Sequence, residues 1–375
     1  MSKRRILFVI GTRPEIIKTA PVIAAFKKDR SYRTKVCFSG QHQALAMQMI
    51  KEFGIIIDFD LGLMRRAQSL NDLTSRSMAG FEKCFTEAKP DLVMVQGDTT
   101  TAFCASLAAF YMKIPVGHIE AGLRTHDKFR PYPEESNRVM ISRLADLHFA
   151  PTAQAKGNLL REGVSPKTVA VTGNTVIDAL LYIKANKQAS LPIRKLIPHG
   201  KRLILVTAHR RENFGRPLKH ICKALKIISS QHSDVIIVYP IHLNPSVQKL
   251  VKVELSGVKN VFLLAPLGYV DFVKLMEQAF IILTDSGGIQ EEAPSLGKPV
   301  LILRDKTERP EVVRAGCAKI VGTKVDAIIK AVNQLLSSRY EYQRMSKRKN
   351  PVGDGNASMR IKKRIDIYLR NLRSA

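Results

Sequence analysis

The sequence predicts an α/β protein built from two Rossmann-like, doubly wound domains facing a cleft. Three observations predict it. Short apolar runs that do not alternate with polar residues recur along the chain, as in parallel strands covered on both faces. Each run is followed by a helical stretch, the strand–helix–strand order of a doubly wound sheet. The pattern restarts near residue 200 of 375, a length suited to two domains.

In the first half, strands are expected at residues 6–10, 35–39, 91–95 and 114–119, with helices near 14–26 and 101–112. In the second, they are expected at 203–207, 235–239, 261–264, 280–284 and 300–303. Between the halves, residues 182–201 carry Pro192, Pro198 and Gly200 and read as a linker. Residues 357–372 read as a helix after the breaker-rich segment 350–355. Ligands of open α/β sheets sit beyond the carboxyl ends of the strands, so the loops there are where chemistry is expected.

Composition narrows the classes. Sixty Lys and Arg against 32 Asp and Glu give a net charge of +28 and a pI near 10.1. Such a surface attracts anions. No C2H2 spacing, no basic region with heptads and no RNP-like aromatic strand accompanies the charge, and there is no Trp for base stacking, so no specific nucleic acid is expected. At 45% hydrophobic residues the chain has material for a core, which argues against disorder. Cysteines at 37, 84, 104, 222 and 317 form no CxxC pair and no metal-ligand spacing, which points to a reducing compartment and no metal site. The apolar run at 6–10 is shorter than the roughly 7–15 residues of a signal-peptide core. No charge-free run approaches the roughly 18 apolar residues of a spanning helix, so no membrane insertion is expected.

The strand-end loops differ between the halves. After 6–10 comes Gly11-Thr12-Arg13-Pro14, where a capped helix start can meet an anion, with Arg13 and Lys18 adding charge-assisted contacts. After 91–95 comes Gln96-Gly97-Asp98, where Asp98 is either a helix cap or a catalytic acid. Glu120 follows 114–119 and either pairs with Arg124 or serves catalysis. Glu134 and Glu135 stand at a helix start, where the helix dipole alone would favour them. Three acidic sites on neighbouring loops can shift one another's pKa and act as acid and base. The second half offers His209-Arg210-Arg211 and a Ser286-Gly287-Gly288 turn, which suit a diphosphate, with Glu291 and Glu292 in reach of a ribose diol. Arg309 is a ligand contact or a surface charge.

Ten strings carry a resemblance: GTRPEIIK (11–18), GDTTT (97–101), HIEAGLRT (118–125), PEESNR (133–138), TGNTVIDAL (172–180), AHRREN (208–213), YPIHLNP (239–245), LTDSGGIQEEAPSLGKPVL (283–301), TERPE (307–311) and NPVGDGNAS (350–358). Their order and spacing resemble the bacterial non-hydrolysing UDP-N-acetylglucosamine 2-epimerases. The resemblance implies a GT-B-type fold. It divides the chain into a domain 1–172 carrying the catalytic acids, a UDP-binding domain 173–355, and a C-terminal helix 356–375 packing back on the first domain. It also implies a cytoplasmic homodimer needing neither NAD nor a metal. The implied reaction interconverts UDP-GlcNAc and UDP-ManNAc, for surface polysaccharide synthesis, through elimination of UDP to 2-acetamidoglucal and its re-addition. Asp98, Glu120 and Glu134 match the family's catalytic acids, and His209 its functional histidine. Arg13, Lys18, Phe272, Ser286, Gly287, Glu292 and Arg309 match substrate-binding positions. Gln41, His42, Arg210 and His242 match parts of a second, regulatory UDP-GlcNAc site. Ala44 and Ala67 stand where that site has polar residues, which argues against substrate activation in this chain. The rival readings are a hydrolysing epimerase, a 2-epimerase of a related UDP-diacetamido sugar, a glycosyltransferase and a polyanion-binding protein.

Overall fold

The computed structural model describes residues 3–40, 43–65, 67–190, 192–193 and 196–372. Among them, two all-parallel sheets form. The first contains β1 (Arg4–Ile10), β2 (Tyr32–Phe38), β3 (Phe59–Asp60), β4 (Leu92–Gln96), β5 (Val116–Ile119), β6 (Leu147–Ala150) and β7 (Val169–Val171), in the order β3-β2-β1-β4-β5-β6-β7. The second contains β8 (Arg202–Thr207), β9 (Val235–Pro240), β10 (Val261–Leu264), β11 (Ala279–Thr284), β12 (Val300–Ile302) and β13 (Ala318–Ile320), in the order β10-β9-β8-β11-β12-β13. Strand order reverses between β1 and β4 and between β8 and β11, the crevices at which such sheets bind ligands.

The connecting helices in the first half are α1 (Arg13–Lys27), α2 (Gln43–Glu52), α3 (Leu70–Ala88), α4 (Thr100–Tyr111), α5 (Glu134–Leu144), α6 (Ala153–Arg161) and α7 (Thr175–Asn186). Those that follow are α8 (Arg216–Gln231), α9 (Pro245–Leu255), α10 (Tyr269–Gln278), α11 (Gly287–Glu292), α12 (Pro310–Arg314), α13 (Val325–Ser337), α14 (Arg339–Ser346) and α15 (Ala357–Asn371). Local chemistry starts several of them. Thr12 and Glu15 form a capping box on α1, and Ser69 and Thr99 accept backbone N–H groups of α3 and α4. The central strands are apolar because both faces are covered. Leu7, Val9, Val93 and Val95 pack with Phe81 and Phe85 of α3, and Ile204, Val206, Ile281 and Leu283 pack with Leu218, Ile221 and Leu225 of α8.

By residue contacts the chain divides into Met1–Ala179 with Gly353–Ala375, and Leu180–Val352. The first division lies inside α7 rather than at 172/173, since a helix needs no break where its contacts change partner. The second lies within the 350–355 segment. The expected linker 182–201 starts too early, because α7 continues through Asn186. Helix α15 joins the first unit. Its first N–H groups, at Ala357 and Ser358, donate to the Asp178 carboxylate at 3.2 and 2.8 Å, Lys362 pairs with Asp29 at 2.7 Å, and Tyr32 donates to Asp366. The strands not foreseen are β3, β6, β7 and β13. Three are edge strands of two or three residues that expose a face, and β6 is interrupted by a histidine. The five cysteines are free and buried. No described helix is long and apolar enough to cross a membrane.

Candidate active site

In the first unit the carboxyl ends of β1, β4 and β5 lie side by side, and each leads into expected groups. The β1 end runs into α1, which carries Arg13 at its first position and Lys18 five residues on. The β5 end delivers Glu120 with φ of +66°, a left-handed backbone rare for a residue with a side chain and costing about 1–3 kcal/mol. Four contacts from three side chains hold it there. The Lys18 ammonium donates to both Glu120 oxygens, at 2.5 and 2.7 Å, Asn174 Nδ2 donates at 3.0 Å, and Gln96 Nε2 donates to Oε2. An acceptor ringed by donors suits a carboxylate. The partner anticipated for Glu120, Arg124, instead forks onto Glu162 at 2.7 and 2.8 Å.

The β4 end delivers Asp98. The capping role belongs to its neighbour Thr99, whose hydroxyl accepts from Ala102 N at 3.1 Å. That frees the Asp98 carboxylate, which accepts from Arg138. Burial pushes the Asp98 carboxyl up from its ordinary value; Arg138 opposes this, Glu120 adds to it, and Lys18 opposes it further. Glu134 and Arg138 are four residues apart on α5, the spacing of neighbours on one helix face. Glu134 Oε2 is buried without a hydrogen-bond partner. Glu135 bridges two places: its Oε1 accepts the N–H groups of Thr125 and His126, both at 2.9 Å, and its Oε2 lies 3.2 Å from Nη1 of Arg138, the arginine that also holds Asp98.

Several groups here were not foreseen. Glu15 is buried and accepts from Gly11 N at 3.0 Å, Thr12 N at 2.5 Å and Thr99 Oγ1 at 2.6 Å, so it ties the β1 and β4 loops together. Burial raises its pKa above 4.5, against the pull of those hydrogen bonds. The Thr12-x-x-Glu15 spacing is a capping-box signal that could have found it. Asn137, Arg138 and Asn174 stood in the quoted strings, and Gln96 just before one of them, without a role. Only long-range packing reveals what they touch.

In the second unit β8 and β11 are neighbours, bridged at their ends by a 2.7 Å hydrogen bond between the Thr207 and Thr284 hydroxyls. Beyond them, the fully buried Asp285 accepts from His209 N at 2.8 Å, Arg210 N at 2.9 Å and Asn213 Nδ2 at 2.8 Å. One carboxylate thereby shapes the whole 208–213 loop. Burial lowers the His209 pKa, with Asp285 opposing, so the ring is held toward its neutral form. The His242 ring, from the end of β9, stacks on His209 with centroids 4.9 Å apart and planes 15° apart. Two residues expected in adjoining sites thus lie ring against ring. Ser286 precedes α11 and Gly287 opens it; a Cβ on Gly287 would lie 3.7 Å from Arg210 Nη2 and 3.9 Å from Glu308 Oε2. Glu292, 9% exposed, ends α11. Arg309 forms an ion pair with the buried Glu291, the other carboxylate expected near a ribose. Phe272 lies half-buried in the first turn of α10, the helix that follows β10. Gln41 and His42 fall outside the described residues. Among those described, no group of three His, Cys, Asp or Glu side chains is placed to hold a metal ion.

Comparison with known proteins supports one lineage. The family described as UDP-N-acetylglucosamine 2-epimerase matches residues 24–366. A UDP-N-acetylglucosamine 2-epimerase from Escherichia coli K12 is 50% identical over 364 residues, covering 95% of this chain and 97% of that protein. The crystal structure of UDP-GlcNAc 2-epimerase from Neisseria meningitidis bound to UDP-GlcNAc is 46% identical, covers 96% of this chain and 99% of its own, and superposes with a TM-score of 0.86. The Methanocaldococcus jannaschii UDP-GlcNAc 2-epimerase in complex with UDP-GlcNAc and UDP is 34% identical, covers 97% of this chain and 99% of its own, and gives a TM-score of 0.78. The fold is of the GT-B type.

Proposed function

The chain belongs to the UDP-N-acetylglucosamine 2-epimerase family and is an isomerase of that class; we propose that it works by eliminating UDP and adding it back. A carboxylate of the first unit removes the proton on C2 of the sugar. The electron pair forms the C1–C2 double bond as the C1–O bond to UDP breaks, leaving 2-acetamidoglucal and UDP. A second carboxyl then delivers a proton to the opposite face of C2, and the diphosphate returns to C1. The net change is inversion at C2.

The observation that carries this reading is the contrast between Asp98 and Glu120. Glu120 is ringed by donors, whereas burial and the charge of Glu120 push the Asp98 carboxyl up. Carboxyls in such different settings can divide the roles of acid and base. Glu134 adds a third, with a buried oxygen to which no partner is committed. In the second unit the Asp285-shaped loop sets out His209 and Arg210 beside Ser286 and Gly287, a donor set for a diphosphate leaving group. Glu292 and Arg309 are assigned to the nucleoside end and Phe272 to the uracil. Arg13 adds a cation in the first unit. A homodimer in the cytoplasm goes with this reading, and light scattering tests the dimer.

Proton NMR of UDP-GlcNAc with the purified protein in D2O tests the reaction. UDP-ManNAc carrying deuterium at C2 is expected. Free ManNAc and UDP would make the enzyme a hydrolysing epimerase, and an unchanged spectrum with UDP bound would overturn the UDP-GlcNAc reading and direct the search to another UDP-sugar. Asp98→Asn or Glu134→Gln should lower turnover by roughly 10²–10⁴-fold and leave UDP binding nearly unchanged. Equal loss of both would mean the acids are misassigned.

A further inference from the structure

His118 lies on β5, two residues before Glu120, and its side chain is fully buried. Its Nε2 is 2.7 Å from the carbonyl oxygen of Gly97, the residue before Asp98. A carbonyl only accepts, so Nε2 carries the proton and donates. Nδ1 is buried without a hydrogen-bond partner, which fits an unprotonated nitrogen better than a stranded N–H. Burial holds the ring far below its ordinary pKa, at about 3, so the imidazole stays neutral.

The contact falls at a special place. Gly97 has φ of +71°, where the β4 strand turns out of the sheet toward Asp98. Its N–H still donates to Ile119 O at 3.0 Å, as the last rung between β4 and β5. Its carbonyl has left the ladder and accepts instead from the His118 ring. One residue on, the Asp98 carbonyl accepts from Asn137 Nδ2 at 2.9 Å. The backbone on both sides of the Asp98 side chain is therefore held by side chains, one from the strand that carries Glu120 and one from the helix that carries Glu134.

We propose that His118 is a positioning residue for the epimerisation. It does not touch substrate. It fixes the Gly97–Asp98 turn against the strand that ends in Glu120, and so sets the spacing between the two carboxyls. The inference rests on the epimerase reading given above.

The test uses three variants and the wild-type enzyme, assayed by C2 deuterium exchange and full kinetics. A glutamine side chain places its amide N–H₂ where Nε2 stands and can still donate to Gly97 O. An asparagine reaches only as far as Nδ1, and a leucine has no donor. His118→Gln should therefore keep kcat within about tenfold of wild type, while His118→Asn and His118→Leu should lose about 10²-fold in kcat, the scale of a misplacement near 1 Å. KM and UDP affinity should stay within about threefold in every variant, because the diphosphate is held by other residues. If His118→Leu does not fold, the contrast between glutamine and asparagine decides. Equal kcat in those two variants, or a loss confined to KM, overturns the proposal. Wild-type protein that exchanges no deuterium at C2 would instead overturn the epimerase reading.

Discussion

Replacing Lys18 by methionine should destabilise the first unit by about 3 kcal/mol. The ammonium and the Glu120 carboxylate lie 2.5 Å apart, with side-chain exposures of 17% and 6%. Methionine keeps most of the volume, so the change is chiefly the loss of charge. Removing one partner of a buried pair costs about 3–5 kcal/mol, because the other charge is left in a poorly solvated place. The lower end applies here, since Lys18 keeps some contact with water and Asn174 and Gln96 still donate to Glu120. For a unit of this size each kcal/mol moves the midpoint by about 2–4 °C, so a drop of about 9 °C is expected. The two contact-defined units can unfold separately, and the transition to read is the one the substitution moves. Adding Glu120→Gln to Lys18→Met should restore most of the loss, because it removes the stranded charge. A midpoint within about 2 °C of wild type, or a double variant less stable than Lys18→Met alone, would refute the reasoning.

Three other substitutions test other parts of the structure. Asp285→Ala leaves the donors at His209 N, Arg210 N and Asn213 Nδ2 without their acceptor, so the second unit should lose about 3 kcal/mol or more by denaturant melts, with weaker UDP binding by calorimetry. Glu15→Gln tests linkage. The folded pKa of Glu15 lies above 4.5, so its favourable contribution is full below that pH and is lost as pH rises through the folded value. The Gln variant has no such loss, and its stability relative to wild type should climb from pH 4.5 upward; a flat or falling difference contradicts the burial argument. Gly122→Ala should unfold or nearly unfold the first unit, because φ is +89° and the new Cβ would sit 2.2 Å from the Ala155 carbonyl oxygen, a backbone atom of α6; a normal melting curve would show that this turn can shift.

Much of the site was legible because strand-end residues are legible. Once the apolar runs at 6–10, 91–95, 203–207 and 280–284 are read as parallel strands, Arg13, Asp98, His209 and Ser286 must lie beyond their carboxyl ends. Which partner each side chain takes was not legible. Glu120 has Arg124 four residues away in sequence, yet its ion pair is with Lys18, 102 residues away. Asp285 read as one letter of a glycine-rich turn, yet it holds the backbone N–H of His209, 76 residues earlier.

The sequence by itself determined the fold class, the two sheets, the family and which loops follow the carboxyl ends of the strands. Those follow from hydrophobic periodicity and from residue types at fixed spacing, which are local properties of a chain. The tertiary structure alone decided that Thr99 and not Asp98 caps α4, that Glu15 ties two loops together, that His209 stacks on His242, and that His118 holds the Gly97 carbonyl. Each of those depends on strand order and on which buried polar groups must find one another once water is excluded. Such pairings connect positions tens of residues apart, and no periodicity records them.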